Sequence, residues 1–590
     1  MTADNALASV GRTNQEKASV IWNVANSLFG AYKPHEYGLV ILPMTVVKRF
    51  HDCLLPTHER VLEQYEKVKH LAVRDGFLRK ASGYAFYNTS PFTFETLRAD
   101  AENIEDNFRA FINGFSENVQ DILAQMGFSD QIKRMADANL LYQVIVDFCS
   151  EKADMSPEKV TAVDMGYIFE NLVQRFSESY DEEAGAHFTS RDIIYAMCDL
   201  LVTGNAGGDT KTIYDMTMGT SQMLTCMEER LHQLDNEMET TTFGQELNPF
   251  TYGIAKADML IRGGNPDNMK FGDTLNNDQF DGYTFDFIIS NPPFGIDWKR
   301  EAQAVEAEAR RGADGRFGPG LPSKSDGQML FLLNGVAKLA NNGRMAIIQN
   351  GSSLFTGDAG SGPSEIRRYL IENDWLDAIV QLPNDSFYNT GIATYVWIVT
   401  KNKPVAHDGK VLLIDASQCF EPRRKSIGNK RVDISDACRA LIVKAYGEYR
   451  SADYSETLEN GRVITCRARL MDGDDFGYSK ITVESPELDE QGRKVLKRGK
   501  PVADASRRDT ENVPLKEDID AYFAREVLPY NPDAWIDKSK TKVGYEIPFT
   551  RTFYVYKELE KAADIAKRIE AHEHALVEKL RALFGAGGDR

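Results

Sequence analysis

Four consecutive residues, Asn291-Pro292-Pro293-Phe294, bring together groups suited to one kind of chemistry. An exocyclic amine conjugated to a purine is a poor nucleophile until its lone pair is freed. Two acceptors on its protons do that as it attacks a methyl sulfonium. The Asn291 amide oxygen and the Pro292 carbonyl oxygen are such acceptors, and the proline rings stiffen the backbone so that both are aimed in advance. Phe294 supplies an aromatic face for a base that has been swung out of its stack. Neither a tuned general base nor a covalent intermediate is needed.

Three further segments place ligand-type residues where apolar runs end. Asp215-Met216-Thr217-Met218-Gly219-Thr220-Ser221-Gln222-Met223-Leu224 reads as a strand, a glycine turn and a helix start, with Gly219 allowing close backbone approach. Gln245-Glu246-Leu247-Asn248-Pro249 puts a carboxylate at the next strand end, where acidic residues bind ribose hydroxyls. Gly272-Asp273-Thr274-Leu275 puts a second carboxylate at the same edge. Each alone fits an ordinary turn or helix cap equally well. Their order and spacing as successive βα units is what singles them out.

The elements that must position these residues are short apolar runs separated by helical stretches, the pattern of a Rossmann-like α/β sheet. Seven runs are visible, at residues 212–215, 242–247, 270–275, 285–290, 344–349, 377–382 and 394–400. Before them, Ala18, Ile21, Trp22, Ala25, Leu28 and Phe29 recur at helical spacing and residues 38–50 form a second buried segment, so residues 1–160 read as a helical domain. Residues 161–425 read as the α/β domain. A polar insertion from Gly295 to Ser325 carries six basic residues and suits a large polar substrate. Residues 426–590 form a mixed C-terminal region. It holds a charged, exposed hairpin or loop at 493–508 and a long amphipathic helix at about 552–584, carrying Leu559, Ala562, Ile565, Ile569, Leu576, Leu580 and Leu583.

Bulk composition bounds the rest. At 590 residues, 42% hydrophobic and 27% charged, the chain is long enough for several folded units. A net charge of −19 lacks the basic footprint of a self-sufficient nucleic-acid binder, so phosphate contacts must come from a local face or a partner. The seven scattered cysteines show no metal-ligand spacing and read as reduced, mostly buried thiols; no metal is expected. With no apolar stretch approaching a bilayer span, the expectation is a soluble cytoplasmic protein without membrane association. No phosphate-loop motif of the G-x-x-x-x-G-K-[ST] kind is present, so ATP-driven work belongs to another chain.

With these motifs in order, the chain resembles the modification subunits of type I restriction systems, among the N6-adenine methyltransferases in which the cofactor turn precedes the N-P-P-aromatic motif. Upstream, Gly185-Ala186-His187-Phe188-Thr189-Ser190-Arg191 resembles the family's G-x-x-[FY]-T-P-R segment, with Ser190 in the proline's place. The resemblance implies a seven-stranded methyltransferase sheet that uses S-adenosyl-L-methionine. His187, Phe188, Thr189, Ser190, Asp215, Gly219, Thr220, Ser221, Glu246 and Asp273 are then cofactor-binding, and Asn291 to Phe294 catalytic. It further implies double-stranded DNA with a flipped adenine, a specificity subunit and a second modification subunit as partners, with the C-terminal helix as the docking element, and leaves open whether a restriction subunit accompanies them. The turn departs from the family's D-P-x-x-G-T-G-G at Met216, Ser221 and Gln222.

Three other readings stay open at this level. A methyltransferase for a protein glutamine or for RNA faces the same nitrogen chemistry. A scaffold that has lost its cofactor through the altered turn keeps the same fold. A self-sufficient enzyme would house its own target-recognition domain in residues 426–540.

Overall fold

The computed structural model describes residues 16–179, 189–204, 208, 210–556 and 560–585. By its internal contacts the chain divides into two units, Met1–Ile547 and Pro548–Arg590.

The first unit begins with helices. The central one, Gly38–Leu54, is apolar on every side and buries every residue but Leu39. A helix of that composition must lie inside a bundle, and its polar residues are paired there. Lys48 meets Asp52 at 2.6 Å, and Arg49 Nη1 donates to the Val160 carbonyl at 2.8 Å. The core around it also includes Ile254, Ala257 and Leu260 of helix Pro249–Arg262, which joins the bundle to the sheet behind it. Gly253 is required at that junction, because a Cβ there would lie 2.7 Å from Met126 Cγ.

The seven apolar runs all become strands. They are β1 (Thr210–Asp215), β2 (Glu239–Glu246), β3 (Met269–Phe271), β4 (Phe285–Ser290), β5 (Leu339–Asn350), β6 (Leu376–Gln381) and β7 (Thr394–Thr400). Their order across the sheet is 3-2-1-4-5-7-6, with β7 antiparallel to both neighbours and the other pairings among the seven parallel. This is a doubly wound α/β sheet. The order reverses between β1 and β4, and the crevice at their C-terminal ends is where such sheets bind ligands. β4 reads FDFIIS and is buried except at Asp286, as a central parallel strand must be.

Two features exceed the sequence expectation. The run at 270–275 is a strand only to Phe271. Gly272, at φ +152°, donates its N–H to the Glu246 carbonyl, and the Thr274 hydroxyl donates to the Met216 carbonyl at 2.6 Å, so the chain bends across the ends of β1 and β2. The sheet also runs on past residue 425. β8 (Lys410–Asp415) adds parallel to β6, then β12 (Val463–Asp472) and β11 (Ala452–Thr457) add antiparallel, giving ten strands. Between them β9 (Glu421–Ile427) and β10 (Lys430–Asp433) form a separate hairpin.

A second small sheet centres on β13 (Gly477–Glu484), flanked by Asp509–Pro514, Trp535–Ile536 and Lys542–Tyr545. The charged stretch before Asp509 contains a two-residue strand pair, Leu496–Lys497 with Lys500–Pro501. The second unit holds a short helix, Phe549–Thr552, and the 24-residue helix Ala562–Gly585; Leu559 lies outside the described residues. The seven cysteines are free thiols, six of them buried. Among the described residues no helix is long and apolar enough to cross a membrane, and no acidic, histidine or cysteine cluster is arranged to hold a metal ion.

Candidate active site

A cavity of about 810 Å³ opens along the C-terminal edge of β3, β2, β1, β4 and β5 and reaches the start of β7. Thr189, Asp215, Gly219, Thr220, Glu246, Asp273 and Asn291 to Phe294 all line it. Ser190 and Ser221 do not. Ser190 starts helix Arg191–Val202 with its hydroxyl buried, and Ser221 sits at φ +67°, which turns its buried hydroxyl away from the cavity. His187 and Phe188 lie outside the described residues.

Asn291 follows β4 directly. Its Nδ2 donates to Thr189 Oγ1 at 2.9 Å, while its Oδ1 is buried and accepts no hydrogen bond among the described residues. The hydroxyl thus fixes which way the amide faces, and an acceptor is left over in the cavity wall. An unsatisfied buried acceptor carries a desolvation penalty of about 1–3 kcal/mol, which a donor brought by a ligand removes. Thr189 is held in turn by the residue after next. Arg191 is buried, bonds Glu170 Oε2 through Nε at 2.5 Å, and lies over the Tyr167 ring at 3.8 Å, which ties the segment to helix Ala162–Ser179.

At the other end of the cavity the turn after β1 is braced by carboxylates. Glu246 Oε2 accepts the Gly219 N–H at 2.8 Å and Oε1 accepts the Asn248 N–H at 2.7 Å. Asp215 Oδ1 accepts the Thr217 N–H at 3.0 Å and the Ser290 hydroxyl at 2.6 Å, while Oδ2 has no protein donor among the described residues. Burial raises the Asp215 carboxyl to about 7; the Ser290 and Thr217 hydrogen bonds oppose this and the Glu246 charge adds to it. Asp273 Oδ1 accepts the Leu275 N–H at 2.9 Å on the bend after β3. Glu301 reaches that carboxylate from the insertion, and burial, together with the Asp273 charge and hydrogen bond, raises its carboxyl above the ordinary range.

The insertion from Gly295 to Ser325 is folded against the site. It contains helix Ala302–Ala309 and the buried Trp298, whose Nε1 donates to the Ser323 carbonyl at 2.9 Å. Of its basic residues, Arg316 is used internally. It pairs with both Glu308 oxygens, at 2.8 and 2.7 Å, and donates to the Thr274 carbonyl at 2.8 Å, pinning the insertion to the bend that carries Asp273.

Sequence reasoning missed the wall opposite the cofactor turn. Phe331, Asn350, Asn389, Thr390 and Ile392 complete the cavity. The last three lie on the β6–β7 connection, which hairpin β9–β10 supports through Asn429 N–H to the Tyr388 carbonyl and Lys430 Nζ to the Ser386 carbonyl. Gly428 approaches so closely that a Cβ would lie 2.5 Å from the Tyr388 oxygen. Their signal in the sequence was only positional: Asn350 ends β5, Phe331 lies on helix Gln328–Ala337, and Asn389, Thr390 and Ile392 precede β7, whose start faces the cavity because that strand runs antiparallel.

Comparison with known proteins is decisive at this point, because the N-6 DNA methylase family model matches residues 161–465, more than half the chain. The chain belongs to the N-6 DNA methylase family. Residues 17–148 match the HsdM N-terminal domain, so the methylase carries both parts of a type I modification subunit. It is 25% identical over 469 residues to the type I restriction enzyme MjaIX methylase subunit of Methanocaldococcus jannaschii, covering 75% of this chain and 82% of that one. It is 29% identical over 258 residues to the HindI methylase subunit of Haemophilus influenzae, covering 43% and 54%. The crystal structure of a type I methyltransferase subunit from Streptococcus thermophilus superimposes with a TM-score of 0.60 at 23% identity, covering 78% of this chain and 96% of that one, which shows a shared fold. The protein is a DNA methyltransferase of the N6-adenine class.

The residues present fit the family's cofactor. Acidic acceptors stand at the end of β2 and beside β3 for hydroxyls, a carboxylate oxygen without a donor among the described residues stands at the end of β1 for a cation, and Gly219 keeps its backbone open at φ +53°.

Proposed function

We propose that this methylase transfers a methyl group to the N6 amine of an adenine flipped from duplex DNA, as the modification subunit of a type I restriction-modification complex. The observation that carries the reading is the Asn291 amide oxygen, buried, without a partner among the described residues and aimed by Thr189. The Pro292 carbonyl beside it is likewise without a donor among the described residues. Together these oxygens accept the two amine protons and draw the nitrogen lone pair out of conjugation, in a wall that needs no reorganisation as the reaction proceeds. Phe294 stacks on the base, and Ile296 and Ile392 present apolar surface around it. Glu246 and Asp273 would hold ribose hydroxyls of S-adenosyl-L-methionine, and Asp215 with Thr217 to Thr220 would hold its cationic end. When bound there, that cofactor supplies an electrophilic methyl.

The partners follow from what this chain lacks. Its net charge is −19 and Arg316 is used internally, so a specificity subunit provides sequence choice and much of the DNA grip, with a second modification subunit and, for cleavage, a restriction subunit alongside. The exposed apolar residues Ile569, Leu576 and Leu580 on helix Ala562–Gly585 suit it as the docking element. The complex works in the cytoplasm, where the chromosome and the cofactor are.

The test is tritium transfer from labelled cofactor by the complex purified from its host. Duplex DNA is the expected acceptor, and Asn291→Ala is expected to lower the rate by at least a thousandfold while leaving cofactor binding intact. Label in RNA or protein instead would replace the substrate. Unchanged labelling in the variant would remove Asn291 from the mechanism.

A further inference from the structure

Asn350 is an amide in the base-facing half of the cavity with no part in the transfer described above. It ends β5, the strand beside β4, and the pairing of Ser290 with Ile347 brings both chains out at the same edge, Asn291 on one and Asn350 on the other. Its Oδ1 accepts two N–H donors, Gln328 Nε2 at 2.8 Å and the Ser352 N–H at 2.9 Å, and the Ser352 hydroxyl, whose single proton is shared with Asp326 Oδ2 at 3.0 Å, lies 2.6 Å away. Its own N–H donates to Gln328 Oε1 at 3.0 Å. Gln328 is buried and fixed from behind by Asp326 and by Gln349 Nε2 on its carbonyl. With the oxygen saturated, the amide has one orientation, and Nδ2 lies on the side away from those donors. Among the described residues Nδ2 has no acceptor, and the residue lines the cavity.

The base-facing half therefore offers an unpartnered acceptor, Asn291 Oδ1, and an oriented donor, Asn350 Nδ2. An adenine carries the complement: an amine donor flanked by ring-nitrogen acceptors, N1 on one edge and N7 on the other. We propose that Asn350 donates to one of these ring nitrogens and is a specificity-determining residue of the methylase, distinct from the pair that activates the amine. Guanine would set its O6 against the Asn291 oxygen and, on the Watson–Crick edge, its N1–H against the Asn350 donor. Rejection of that kind is strong because buried polar groups are left unpaired. The proposal rests on the reading that this half of the cavity takes the flipped adenine.

The test varies the substrate as well as the protein. The purified complex is assayed on duplexes carrying adenine, 1-deazaadenine or 7-deazaadenine at the target position, for wild type, Asn350→Ala and Asn350→Asp, with thermal melting to establish that each variant is folded. Wild type is expected to lose about tenfold in kcat/KM on one analogue, the loss of one hydrogen bond. Asn350→Ala is expected to show that loss already on adenine and none further on the same analogue, with the affected analogue identifying the edge that is read. Asn350→Asp, which puts an acceptor against the ring nitrogen, is expected to be worse than Asn350→Ala on adenine and to recover relative to it on the deaza base. Independent losses from variant and analogue on both deaza bases, or a wild type indifferent to both, would overturn the assignment to Asn350. A wild-type complex that binds cofactor and still leaves ordinary duplex DNA unmethylated would instead overturn the reading of the cavity itself.

Discussion

Replacing Asp215 by asparagine separates the stability of the empty site from its use. The carboxyl is buried, and ionising it is disfavoured enough to raise it from 3.8 to about 7. At about 1.4 kcal/mol per pH unit, that displacement amounts to a penalty on the order of 4 kcal/mol for holding the charge in the folded chain. The sign follows from proton counting. Between pH 4 and pH 7 the folded state binds the proton more tightly than the unfolded state, so the contribution of Asp215 to stability is full below about pH 4. It declines as pH rises and is wholly lost above about pH 7. The amide introduced by Asp215→Asn would keep an oxygen for the Ser290 hydroxyl and the Thr217 N–H and would not titrate. In chemical denaturation at fixed protein concentration, Asp215→Asn and wild type should therefore be close at pH 4.5 and diverge to a few kcal/mol in favour of the variant at pH 8. Calorimetry on the same samples should show the variant binding S-adenosyl-L-methionine at least tenfold more weakly, since the free carboxylate oxygen is gone. A stability gap that is constant across pH, or a wild type more stable than the variant at pH 8, would refute the reasoning.

Other substitutions test separate pieces of the site. Thr189→Val removes the acceptor that orients the Asn291 amide and should lower kcat about tenfold, while Thr189→Ser retains activity; single-turnover rates on duplex DNA at saturating cofactor decide this. Ser221→Gly should raise stability by about 1 kcal/mol in denaturant titration, because a left-handed backbone suits glycine and the serine hydroxyl there has no partner among the described residues to lose. Arg316→Met should destabilise by about 3 kcal/mol, since it strands the Glu308 carboxylate in a half-buried site, and limited proteolysis should then cut the insertion first.

Much of the α/β framework could be read from residue order because it is set locally. Each of the seven apolar runs is a strand, and Phe285 to Ser290 and Thr394 to Thr400 match residue for residue. The residues at the ends of β1, β2 and β4, with Asp273 beyond β3, meet in one cavity because parallel strands joined by helices place all their C-terminal ends on one edge. What escaped the sequence depended on pairing between distant segments. Nothing in Leu412 or Ala468 says that their strands extend the same sheet, since an apolar strand looks alike whichever partner it finds. Asn350 carries no motif, and its role emerges only once β5 lies beside β4 and Gln328 holds its oxygen. The turn departs from the family pattern at Ser221, which the resemblance placed among the cofactor-binding residues. The left-handed backbone there directs the side chain elsewhere, so the substitution acts through strain.

The reversed direction of β7 has a consequence for how such a protein can change. The donor side of the cavity is made by βα connections whose helices are integral to the core, so lengthening or trimming them disturbs packing throughout the sheet. The opposite wall is carried by the turn of a hairpin, residues 382–393 between the adjacent antiparallel strands β6 and β7, propped from outside by β9 and β10. Insertions and deletions in a surface turn leave the strands it joins in register. Descendants of this chain can therefore remodel the surface that meets the nucleobase while inheriting the methyl-donor machinery unaltered, and divergence among relatives should concentrate at that turn and its prop.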